Sequence, residues 1–142
     1  MITTAQRTLV QDTFAVIAPI ADDAAALFYR RLFEIAPELE AGMFRNANMP
    51  EQRKKLMQAL ALAVKSLENP EGLVPVLQAL GRKHVDYGVR DEHYDTVGAA
   101  LLWTLEKGLG ERFTPDAREA WTAVYTLVAT TMKDAARSAQ AA

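Results

Sequence analysis

Apolar residues recur along the chain at three- and four-residue steps, the period of one helix face, and almost nowhere at the two-residue step of a half-buried strand. The first such run holds Leu9, Val10, Phe14 and Ile17. Thr3 and Gln6 ahead of it form a capping-box pattern, and Pro19 closes it. A second run, from about Asp22 to Ile35, places Ala25, Phe28, Leu32 and Ile35 on one face, and Pro37 interrupts it. A short turn reaching Phe44 and a polar loop, Arg45-Asn46-Ala47-Asn48, come next. Asn48, Pro50 and Glu51 then mark the start of a helix that carries Leu56, Met57, Leu60, Ala63, Val64 and Leu67 as far as Asn69-Pro70.

The following helix carries Leu73, Val76, Leu77, Leu80 and His84 on one stripe and stops at Gly88. Another runs from about Asp91 through Val97, Leu101 and Leu105 to Gly108 and Gly110. Thr114-Pro115-Asp116 opens the last, which carries Ala120, Val124, Leu127, Val128 and Met132 ahead of an Ala-rich tail, 135–142. Neither an Asn-Gly nor an Asp-Gly hairpin signal occurs. The pattern predicts an all-α chain of six to eight helices forming one domain over residues 1–142, with its core within about 4–134.

Composition narrows the chemistry. With no Cys, thiolate ligands, iron–sulfur clusters and a Cys nucleophile are excluded. Sixteen Lys+Arg against 18 Asp+Glu leave a net charge of −2, with no basic run, so the pattern predicts no nucleic-acid partner. The longest apolar stretches, Ala59 to Val64 and Val97 to Trp103, fall far short of the ~20 residues of a membrane span. The N-terminal residues lack a basic segment followed by an apolar one, so a cytoplasmic protein without a membrane partner is expected. Ser66 and Ser138 sit in no nucleophile elbow, and the glycines form no phosphate-cradling loop. The residues three before the two histidines are Gly81 and Arg90, which rules out the Glu-x-x-His pairs of a di-iron bundle.

The two histidines differ in setting. His84 follows Leu77 and Leu80 by seven and four residues, so its ring points into the core with theirs. Position alone leaves two readings open: a core histidine satisfied by a backbone carbonyl, or a metal ligand whose second nitrogen is held by one. His93, between Glu92 and Tyr94 at a helix start, is expected to be exposed. Two further polar residues fall on apolar stripes: Tyr29 beside Phe28, Leu32 and Phe33, and Gln52 one turn before Leu56. Taken singly, each reads as a surface hydroxyl or a solvated first-turn amide. Together with His84 they describe a cavity with one candidate ligand and two hydrogen-bonding groups, as an axial haem site opposite a small-ligand pocket would be built.

Phe28-Tyr29, Pro37, Phe44, Gln52 and Leu56, then Leu80-Gly81-Arg82-Lys83-His84 and Tyr87-Gly88-Val89, resemble the bacterial globins in order and spacing. The similarity is to single-domain bacterial globins and to the globin part of flavohaemoglobins, and it runs from about Thr4 to Asp134. It implies a three-over-three helical sandwich binding haem b, with His84 as the axial iron ligand. Tyr29 and Gln52 match the distal pair, Phe28 and Leu56 the ligand pocket, and Phe44 the phenylalanine on the haem face. Leu80, Val89 and Val97 match haem-contacting positions, and Pro37 the proline between the second and third helices. Lys83 matches a lysine beside the axial His, and Lys55 and Arg45 are further propionate candidates. Tyr94 matches the tyrosine to which, together with a late-helix Glu, flavohaemoglobins tie the axial His. Here that Glu position falls on Ala136, with Asp134 nearby, which weakens any peroxidase-like chemistry.

The function so implied is reversible binding of dioxygen, nitric oxide and carbon monoxide, for oxygen carriage or nitric oxide scavenging. The alternatives are nitric oxide dioxygenation with an external reductase, a haem-based gas sensor, and a haem-less interaction domain. A monomer or weak homodimer is expected.

Overall fold

A computed structural model describes residues 2–141 of the chain. Six long helices and one short one occur among the described residues: α1 Thr4–Ile17, α2 Ala21–Ile35, α3 Pro37–Ala41, α4 Met49–Lys65, α5 Pro70–Asp86, α6 Asp91–Leu109 and α7 Pro115–Ala141. No strand occurs among them. Helix α5 packs chiefly on α7, α2 on α6 and α4, and α1 on α7. These contacts set α1, α4 and α5 across α2, α6 and α7, in two layers.

The helix starts follow the sequence signals. Thr3 and Gln6 cap α1 reciprocally, each backbone N–H donating to the other's side chain at 3.0 Å. Asn48 Oδ1 accepts from the Glu51 N–H at 3.2 Å, and Thr114 Oγ1 from that of Ala117 at 3.1 Å. Two stretches differ from the expected pattern. The turn after Ile35 contains a helix of its own, α3, because Pro37 occupies the first helical position, where its missing N–H is harmless. The Ala-rich stretch after Asp134 continues α7 to Ala141, in keeping with alanine's high helix propensity; Ala142 lies outside the described residues.

Between the layers sits a core that includes Val10, Leu32, Leu73 and Trp121, all at most 2% exposed. A long-range side-chain hydrogen bond within it runs from Trp121 Nε1 to Thr13 Oγ1 at 2.8 Å, while Thr13 donates to the Leu9 carbonyl at 2.6 Å. Both polar groups are thus satisfied at burial, and the bond ties α7 to α1.

Two glycines control how α5 is seated. A Cβ on Gly81 would lie 2.4 Å from the Met132 carbonyl oxygen, so α5 and α7 touch backbone to backbone at that point. Gly88 adopts φ +82° just past the end of α5. Its N–H donates to the Val85 carbonyl and that of Val89 to the His84 carbonyl, both at 3.0 Å. This is the Schellman arrangement, and it needs the left-handed residue that glycine supplies.

Candidate functional site

His84 lies three residues after the Gly81 contact, with its ring half-buried. Its Nδ1 is 2.7 Å from the carbonyl of Leu80, one turn back on the same helix. A carbonyl can only accept, so Nδ1 carries the hydrogen and Nε2 keeps its lone pair. Burial pushes the imidazole pKa below its usual value, an effect the Leu80 carbonyl partly offsets, so the ring favours its neutral form. The Tyr94 ring partly stacks on that of His84 at 6.3 Å between centroids, and Tyr87, 59% exposed, stands 5.7 Å away on the solvent side.

Tyr29 and Gln52 come from different helices, α2 and α4, and meet. Gln52 Nε2 donates to the Tyr29 hydroxyl oxygen at 3.1 Å. The phenol's own proton is therefore left to point elsewhere. Tyr29 is 5% exposed, and burial raises its pKa, with the Gln52 bond opposing. Aromatic rings hold it: Phe28 edge-on at 5.0 Å, Phe44 edge-on at 5.6 Å and Phe33 at 6.0 Å. Phe44 stands in the turn after α3, where its N–H donates to the Leu39 carbonyl at 2.9 Å.

Leu56, Leu80, Val89 and Val97 are half-buried apolar side chains packed against the core. Lys83, Lys55 and Arg45 are exposed. Their charges are solvated.

Tyr94 is 7% exposed, and its hydroxyl is buried without a hydrogen-bond partner among the described residues. Burial raises its pKa, and the negative charge of Asp91 adds to the effect. Ala136 has no polar side chain to offer, and Asp134 pairs with Arg137 at 3.5 Å. Instead Lys133 Nζ lies 5.5 Å from the centre of the Tyr94 ring and 4.0 Å from Asp95. A cation over the ring face is attracted by the π-system and needs no hydroxyl. His93 is half-buried rather than exposed, because its Nδ1 accepts from the Arg90 backbone N–H at 2.9 Å and so caps α6.

A family model described as Globin matches residues 26–132. The chain belongs to the globin family. It is 36% identical over 136 residues to a flavohemoprotein of Chromobacterium violaceum, covering 93% of this chain and 33% of that protein. It thus spans about a third of the length of the curated relatives it matches. Among solved structures, a bacterial globin from Campylobacter jejuni superposes with a TM-score of 0.83 at 26% identity, covering 99% of this chain and 100% of that one. A flavohemoglobin from Malassezia yamatoensis, solved with bound FAD and heme, gives a TM-score of 0.84 at 30% identity, over 99% of this chain and 38% of that one. The globin fold that the resemblance implied is therefore the fold this chain adopts.

Some site-shaping residues of this globin are not legible as such in the sequence. Gly81 stands in the chain as an ordinary helix glycine, and only the approach of α7 gives it a task. Tyr125 reads as one more aromatic on α7, yet its hydroxyl donates to the Tyr94 carbonyl at 2.6 Å and fixes α6 beside His84. Burial raises the Tyr125 pKa strongly, which keeps the phenol protonated as that donor.

Proposed function

We propose that this globin binds haem b through His84 and holds a diatomic ligand, dioxygen or nitric oxide, beside Tyr29 and Gln52. The observation that carries the reading is the donor pattern of these three side chains. His84 has its Nδ1 committed to a carbonyl and its Nε2 lone pair uncommitted, the state an axial iron ligand requires. Tyr29 has its oxygen engaged by Gln52 and its proton uncommitted, the state a donor to a bound ligand requires. Leu56, Leu80, Val89, Val97 and Phe44 would wall an apolar macrocycle, and the exposed Lys83, Lys55 and Arg45 are the cations that would pair with its carboxylates. The residues fit the group. Haem, when bound, supplies an iron position that takes dioxygen, nitric oxide or carbon monoxide.

The chain's own part is electrostatic. A ligand that gains negative charge on binding is held by the Tyr29 proton, and Gln52 fixes the direction of the Tyr29 hydroxyl. Leu80 orients the His84 ring through one neutral hydrogen bond. Similarity to flavohemoproteins supports a second reading, nitric oxide dioxygenation with electrons from a separate reductase. The Tyr94 hydroxyl, with no carboxylate among the described residues to engage it, favours the first. A cytoplasmic setting suits both.

Haem titration with ferric, ferrous and carbonmonoxy spectra tests the proposal. One haem per chain is expected, with His93→Ala keeping the parent spectrum. A chain that takes up no haem overturns it. Turnover of nitric oxide to nitrate with a supplied reductase then separates the two readings.

A further inference from the structure

On the side of α2 away from Tyr29, two cations from different helices meet at one indole. Trp103 of α6 is half-buried, with the Arg31 guanidinium carbon 5.2 Å and Lys107 Nζ 5.7 Å from its ring centroid. Arg31 belongs to α2, two residues past Tyr29 and so roughly 200° around the helix from it. The cluster is therefore separate from the Tyr29–Gln52 pair.

Each cation is attracted by the π-system of the ring, but the two repel each other. No carboxylate among the described residues lies within ion-pair distance of either. Glu106, next to Lys107 in the chain, lies 3.8 Å from Arg118 instead. Glu34, one turn after Arg31, is exposed and pairs with no cation among the described residues. Exposed Arg30, equally without an ion pair among them, adds to the positive field.

Arg31 is the more telling of the two. Its Nε is buried with no hydrogen-bond partner among the described residues. Its two terminal nitrogens are not buried, so the guanidinium fork opens to solvent. The indole and the half-buried stem hold that fork in place, so an incoming anion meets donors already oriented. Lys107 is exposed, and its flexible four-carbon stem can carry the ammonium to the same anion without moving α6.

We propose that Arg31 and Lys107, set around Trp103, form a binding site for a phosphate dianion, either the free ion or the phosphate of a small ester. A phosphate has two oxygens for the guanidinium fork and a further one for the ammonium. Its charge of about −1.5 to −2 at pH 7 balances both cations. A monocarboxylate brings two oxygens and a single charge, enough for one partner. The bound phosphate ties α2 to α6 on the outer surface, and this site is independent of the reading of Tyr29 and Gln52.

The chain has two tryptophans, and the second supplies an internal control: Trp121 is 2% exposed, with its Nε1 bonded to Thr13. Inorganic phosphate is titrated at fixed ionic strength into the full chain, reduced and under carbon monoxide, while NMR follows both indole N–H signals. The Trp103 signal should shift saturably and that of Trp121 should stay in place. Arg31→Gln and Lys107→Gln should each weaken binding roughly tenfold, and Lys65→Gln, on α4, should leave it unchanged. Lys107 is exposed, so Lys107→Gln keeps the test open if Arg31→Gln fails to fold. Acetate should bind more weakly than phosphate. Adenosine monophosphate separates the two sources: tighter binding than phosphate assigns the site to an ester, and equal or weaker binding to the free ion. A linear or absent Trp103 shift, acetate binding as tight as phosphate, or parent affinity in Lys107→Gln would overturn the proposal.

Discussion

The His84 side and the Tyr29–Gln52 side of the molecule are held in place by different means. Around His84 the restraints are backbone ones: the Leu80 carbonyl on Nδ1, the Val89 N–H on the His84 carbonyl, and the contact of Gly81 with the Met132 backbone. Around Tyr29 they are side-chain ones: an amide hydrogen bond and three aromatic neighbours, one of them in a turn. Backbone restraints do not depend on which side chains surround them and leave little room for adjustment. A pair of side chains can be retuned by single substitutions. The proposed anchor of the site is thus built to be constant, and its proposed ligand-holding half to be adjustable.

The largest effect that would sharpen this contrast comes from His84→Ala, which removes the only side chain we assign to the iron. Its Soret band should be lost or grossly altered in haem titration. Its melting temperature should fall below that of the haem-loaded parent, since a cofactor that binds only the folded state stabilises by mass action. A parent-like five-coordinate ferrous spectrum would break the assignment. Next comes Gly81→Ala. A methyl cannot fit 2.4 Å from a carbonyl oxygen, so α5 must shift from α7 at a cost of about 1–3 kcal/mol, read by denaturant unfolding. Unchanged stability would mean that the backbone contact is looser than described.

On the other side, Tyr29→Phe should speed dioxygen release by about tenfold or more, the worth of a hydrogen bond to a charged group. Stopped-flow rates equal to the parent's would place the phenol proton elsewhere. Gln52→Leu should act less and through Tyr29, because its amide reaches the phenol oxygen. The double variant should then release dioxygen no faster than Tyr29→Phe alone, whereas additive effects would mean that Gln52 meets the ligand itself. Carbon monoxide, less polar when bound, should respond weakly to either change. The smallest effect is that of Gly88→Ala, which forces a Cβ into φ +82° and should cost about 1 kcal/mol with the Soret band retained. A changed haem spectrum in that variant would show that the helix end, and not Leu80 alone, orients His84.

By itself the sequence determined the helices, most of their ends and the direction of His84. Those features depend on neighbours within about one turn: Thr3 with Gln6, Asn48 with Glu51, and the stripe through Leu77, Leu80 and His84. It also singled out Tyr29 and Gln52, since polar residues on apolar stripes stand out wherever the stripe itself is legible. Only the tertiary structure decided that Gln52 and Tyr29 hydrogen-bond to each other, that the Tyr94 hydroxyl under Lys133 has no partner among the described residues, and that Gly81 meets Met132. These pairs lie 23 or more residues apart in the chain. Helical periodicity says which face a residue occupies, but the residue that meets it there is set by how one helix crosses another, and that crossing depends on every side chain between the layers at once.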